Sequence, residues 1–61
     1  MKLNPTPRIK AGYSRAKAAE AIGCSERAIE YWENGERIPS VQYVYKLSKL
    51  YGCTMEELLE Q

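Results

Sequence analysis

The chain contains no histidine and only two cysteines, Cys24 and Cys53. Without His, and with two thiols far apart in sequence, there is no ligand set for a tetrahedral N/S metal site. Nor can a nucleophile–base pair be drawn, and no glycine-rich loop resembles a phosphate cradle, so neither an enzyme nor a cofactor binder is expected. No apolar run approaches the roughly 20 residues of a membrane span. MKLNPTPRIK also lacks the apolar core of a signal peptide, so a cytoplasmic location is the default expectation. A disulfide between Cys24 and Cys53 stays open. Each, however, sits one residue before a helix-starting Ser or Thr, where a small apolar thiol packs well, and reduced core thiols are the expectation.

Acids are also missing from one stretch. Residues 1–17 hold Lys2, Arg8, Lys10, Arg15 and Lys17 and no Asp or Glu, while residues 18–61 hold four bases and all eight acids. The net charge of +1 therefore conceals a dipolar layout. Such a layout can put a positive field on one face, or can be no more than a solvated basic N-terminus. Sixty-one residues make one domain, and a chain of that size buries only about 60% of its unfolded surface. Hydrophobic content of 44% with 28% charged residues is ordinary for a folded soluble domain.

Glycine and hydroxyl residues punctuate the rest. GYS, GCS and GCT begin at Gly12, Gly23 and Gly52, Gly35 closes a further segment, and Pro39–Ser40 opens the next. A glycine ends a helix in the left-handed region, and the following Ser or Thr caps the next one. Thr54 with Glu57 makes a capping box. This grammar predicts five helices, over 6–11, 15–22, 26–34, 41–51 and 55–60, and an all-α fold. Ala18, Ala19 and Ile22 share one helical face. Ala28, Ile29 and Trp32 share another, as do Val41, Val44, Leu47, Ser48 and Tyr51, with Met55 and Leu58 completing the predicted core. Pro5 and Pro7 limit the first helix, so residues 1–5 are expected to form an arm and residues 6–61 the domain.

Helices two and three are joined by GCS, a turn that forces a steep crossing, and Ala18 and Ala19 allow close approach. That is the helix-turn-helix arrangement. SRAKAAEAIGCSERAIEYWENGERIPS, continued by VQYVYKLSKLYGCTMEEL and preceded by RIKAGYS, resembles the Cro/repressor helix-turn-helix family, the lambda-repressor-like domain. The resemblance covers about fifty residues without a gap. It implies a compact five-helix bundle, here with a shortened first helix, acting as a sequence-specific regulator on double-stranded DNA, repressor-like and as a homodimer. The third helix would be the recognition helix.

The same resemblance implies an ion pair between Arg8 and Glu33. Ser14, Arg15 and Lys17 stand at the second-helix N-terminus, whose backbone N–H groups favour an anion. The resemblance gives Arg15 a phosphate- and base-contacting position. It matches Asn34 and Arg37, about the end of the third helix, to the loop that grips the neighbouring phosphate. Lys2 and Lys10 are plausible additions. Arg27 suits bidentate guanine readout, and Tyr31, on the same face, can meet a thymine methyl or a phosphate. Glu26 falls where a carboxylate can accept from cytosine or simply favour the helix dipole. Glu30 can do the same, or pair with Arg27 or Asn34. Acids in the groove and bases on the rim is the resulting expectation. Met55, Leu59, Tyr43 and Tyr45 are candidates for a dimer contact. A second reading is a protein-interaction or antitoxin-like accessory module, using the acidic C-terminal half or the tyrosine-rich fourth helix. No membrane, small-molecule substrate or metal is expected in either.

Overall fold

The computed structural model describes residues 2–60. Met1 of the expected arm and Gln61 at the end of the expected domain lie outside the described residues. Five helices succeed one another: α1 (Thr6–Ala11), α2 (Arg15–Ile22), α3 (Glu26–Asn34), α4 (Val41–Tyr51) and α5 (Met55–Leu58). Two short strands, β1 (Lys2–Leu3) and β2 (Leu59–Glu60), pair antiparallel across the two ends of the chain, with Leu3 opposite Leu59.

The hydroxyl grammar operates as hydrogen bonds. Ser14 Oγ accepts from Lys17 N at 3.1 Å, Ser25 Oγ from Ala28 N at 3.1 Å and Ser40 Oγ from Tyr43 N at 3.5 Å. Thr54 and Glu57 complete a reciprocal box, with Thr54 N donating to Glu57 Oε1 at 2.9 Å. Each such cap is worth about 1 kcal/mol, which matters for helices too short to stand alone. α1 is the exception: its N-cap is Pro5 and makes no side-chain cap bond. Asn4 Oδ1 instead accepts from Thr6 N at 3.1 Å.

The core gathers Leu3, Ala18, Ala19, Ile22, Ile29, Trp32, Val44, Leu47, Tyr51 and Leu58. Trp32 stacks on Tyr43 with ring centroids 5.3 Å apart, and Tyr13 lies beside Tyr51 at 6.0 Å. Ser48, buried on α4, donates its hydroxyl to Tyr45 O at 2.7 Å, which satisfies it within the helix. Cys24 and Cys53 are free, half-buried thiols against the core. Burial pushes both thiols up from their ordinary value, the behaviour of packing residues rather than reactive ones.

Three expectations change. Residues 2–5 do not form a free arm. Leu3 is fully buried, β1 pairs with β2, and Asn4 N donates to Leu58 O at 2.7 Å. α5 stops at Leu58 rather than residue 60, because Leu59 turns extended (φ −100°, ψ 123°) to meet Leu3. Val41, expected in the core, is 74% exposed. It is the first residue of α4, and helical side chains lean toward the N-terminus, so its own lies beyond the end of the helix with no turn beneath it.

Candidate nucleic-acid interface

α2 and α3 meet through Gly23, Cys24 and Ser25. Gly23 sits at φ +80°, ψ 36°, and donates its N–H to Ala19 O at 2.9 Å, closing α2. A side chain would be strained in that conformation. Ser25 caps α3 immediately afterwards, so the chain passes from one helix into the next within three residues. Fully buried Ala18 and nearly buried Ala19 let the two helices pack closely.

α3 is divided lengthwise. Ile29, Trp32 and Glu33 are buried and Ala28 is half-buried, while Glu26, Arg27, Glu30 and Asn34 are exposed and Tyr31 is half-exposed. At 3.6 residues per turn, these five outward positions occupy a continuous arc of about 140°. The helix is roughly 14 Å long at 1.5 Å per residue. The whole molecule has Cα extents of 23 × 22 × 19 Å, so α3 spans more than half of one side.

Cations flank the arc. Arg15 opens α2, and beside it Ser14 and Lys17 are exposed. On the other side Arg37 is exposed, with its guanidinium 5.1 Å from the centre of the Tyr31 ring. Lys2 reaches the C-terminal end of α3: its side-chain carbons would lie 3.4 and 3.6 Å from a Cβ built on Gly35. Gly35 itself caps α3 at φ +81°.

Beneath the arc lies an ion cluster. Glu33, its side chain only 2% exposed, accepts from Arg8 Nε on Oε2 at 2.8 Å and from Arg8 Nη2 on Oε1 at 3.3 Å. Arg15 Nε also donates to Oε1, at 3.0 Å. Arg8 Nη1 donates to Tyr13 O at 2.9 Å, so all three of its nitrogens are engaged inside the fold. One acid between two bases leaves the cluster with one positive charge to spare.

A helix-turn-helix family model matches residues 8–58. The chain belongs to that family. The helix-turn-helix domain is also similar to the uncharacterized HTH-type transcriptional regulator YgzD of Bacillus subtilis (strain 168), with 29% identity over 51 residues that cover 84% of this chain and 77% of the relative. The match is of the Cro/C1 type, and it accords with the all-α, lambda-repressor-like fold. No helix among the described residues is long and apolar enough to cross a membrane.

Within this helix-turn-helix domain the proposed contact residues fall into groups. Glu26, Arg27, Glu30, Tyr31 and Asn34 share the outward arc of α3. Ser14, Arg15 and Lys17 sit together at the start of α2, and Arg37 joins the arc through Tyr31. Glu30 forms neither of the pairings open to it, with Arg27 or Asn34, among the described residues. Lys17 approaches Glu20 at 3.9 Å, an exposed pair of little energetic weight. Lys10 lies elsewhere, across a groove from Glu57. There the capping bonds from Thr54, aided by Lys10, hold the Glu57 carboxyl below its ordinary value.

Of the dimer candidates, Tyr45 is 53% exposed, Tyr43 is half-buried against Trp32, Met55 is half-buried and Leu59 lies in β2. Sequence reasoning missed the Arg15–Glu33 bond. The two residues are 18 positions apart on different helices, and no spacing rule links them.

Proposed function

We propose that this domain is a sequence-specific regulator that lays α3 in the major groove of double-stranded DNA. Family membership and the similarity to an HTH-type transcriptional regulator support a DNA-binding regulator of transcription. The observation that carries the finer reading is the α3 arc. Five polar or amphipathic side chains project from a helix about as long as the major groove is wide, roughly 12 Å. Cations border that helix on both sides.

The acidity of α3 is compatible with this role. Glu33 faces inward and is over-neutralised by Arg8 and Arg15, so it presents no charge to DNA. Glu26 stands in the first turn of α3, where a carboxylate interacts favourably with the helix dipole, by about 0.3–1 kcal/mol. Facing the groove, Glu26 and Glu30 can accept from cytosine N4 and repel misplaced phosphates. They sharpen choice at the expense of affinity. Arg27 supplies the guanine contact.

Affinity comes from the rim, through Arg15, Lys17, Arg37 and the free backbone N–H groups that open α2. One α3 reads only a few base pairs, so two copies act on half-sites about 34 Å apart, one helical turn. Bodies with Cα extents of 23 Å, widened by their side chains, come just within contact at that spacing.

Selection of bound duplexes from a random pool, repeated with Arg27→Ala, tests the reading. The parent should enrich a single motif, and the variant should lose about 1–3 kcal/mol of preference at one or two positions only. Enrichment of no motif by the parent would count against sequence-specific recognition. Identical motifs from parent and variant would remove Arg27 from base readout.

A further inference from the structure

The two arginines on Glu33 are not equivalent. Arg8 has a side chain only 12% exposed, and every nitrogen of its guanidinium is engaged by Glu33 or Tyr13 O. Arg15 has a side chain 41% exposed and donates to Glu33 through Nε alone. Its two terminal nitrogens make no hydrogen bond among the described residues, and its backbone N–H opens α2 beside the N-cap Ser14. A guanidinium is rigid and planar, so fixing Nε fixes the direction of both terminal N–H₂ groups.

We infer that Glu33 is a positioning residue. It holds Arg15 by Nε so that the free Nη1/Nη2 edge forms a preset fork for one DNA phosphate at the α2 N-terminus. Glu33 thereby couples the phosphate contact on α2 to α3, on which it resides, and to α1 through Arg8. The surplus positive charge of the cluster falls on its one exposed member, where a phosphate can use it. Ordering a flexible cation before binding removes an entropy loss from association. A lysine keeps the charge but not the preset fork, because one freely rotating ammonium nitrogen stands in for the separate, rigidly held Nε and Nη donors.

The inference rests on the proposed DNA reading, and its test separates the two. Binding to the selected duplex is measured against salt for the parent, Arg15→Ala and Arg15→Lys, with melting curves alongside. Both variants should weaken binding to all sequences alike, by about tenfold, the lower end for a charged hydrogen bond. Arg15→Ala should also flatten the log–log salt slope by about 0.9, the value of one phosphate contact, whereas Arg15→Lys keeps the charge and should leave the slope nearly unchanged. The anchor is tested with the Arg8→Met, Glu33→Leu double variant, which leaves net charge unchanged and replaces a buried ion pair by apolar packing, a change that proteins often tolerate.

In that background Arg15 is unanchored, and Arg15→Lys should then change affinity by less than about twofold, a coupling read from the cycle. If the double variant does not fold, Arg15→Lys against Arg15→Ala decides alone. Parent-like affinity for Arg15→Lys would overturn the inference, as would lower stability with unchanged DNA binding for Arg15→Ala. A parent that binds no duplex at low salt would remove the DNA reading, and this inference with it.

Discussion

Leu3→Ala should cost the protein about a third or more of its stability. Leu3 is one of four large side chains that are completely buried, the others being Ile29, Leu47 and Leu58. Its backbone pairs with Leu59, and Asn4 N bonds Leu58 O at 2.7 Å, so the strand cannot follow a shortened side chain inward without breaking the ladder. Truncating a buried Leu costs about 2–5 kcal/mol, with the upper half applying where the site cannot collapse. At about 0.05–0.15 kcal/mol per residue, a chain of this length has roughly 3–9 kcal/mol of stability in total.

The substitution therefore removes a third or more of the total, and each kcal/mol lowers Tm by about 4–8 °C in a domain this small. Circular dichroism at 222 nm against temperature and urea measures it. Lys2→Ala, an exposed neighbour on the same strand, is the control and should change stability by less than about 0.5 kcal/mol. A Tm drop under about 4 °C for Leu3→Ala would refute the reasoning. Residues 2–5 would then be the loose arm that Pro5 and the charge of Lys2 suggest.

Tyr51→Phe should stabilise the protein slightly, by about 1 kcal/mol, since the Tyr51 hydroxyl is buried with no hydrogen-bond partner among the described residues. Burial, reinforced by Glu33, raises the Tyr51 pKa well above 10, so the unfolded chain loses this proton first and stability falls as pH rises past about 10. The Phe variant should lack that alkaline component, and urea midpoints between pH 8 and 11 check both statements. Gly35→Ala should destabilise by about 1 kcal/mol or more, because φ is +81°, a conformation that strains a side chain, while the new Cβ would make only ordinary contact with Lys2 at 3.4 Å; a neutral result in urea would contradict the left-handed cap.

The helices are legible because their boundaries are written locally. Ser14, Ser25, Ser40 and Thr54 each cap the helix that begins at the next residue, and the glycines two residues before three of them end the preceding helix. The face of α3 that carries Ile29 and Trp32 is equally plain from their spacing. The features hidden in the sequence depend on pairs distant in the chain. Leu3 meets Leu59 across almost the whole polypeptide, and a two-residue strand has no periodicity to read. Val41 fits the apolar spacing of α4, yet end geometry rather than spacing exposes it. Arg15 reads in sequence as a free phosphate contact, while its Nε is already bound to a carboxylate on another helix. Local grammar specifies the elements, and the charge network across them emerges only from their packing.

The most direct measurement is a titration of the ¹⁵N-labelled protein with its selected duplex, monitored through amide and arginine side-chain shifts. Changes should concentrate at residues 14–17, 26–31 and 34–37 and leave the exposed groove of Tyr45, Lys46 and Lys49 on α4 unmoved. Perturbation centred on that α4 groove, with α3 silent, would contradict a recognition helix in the major groove.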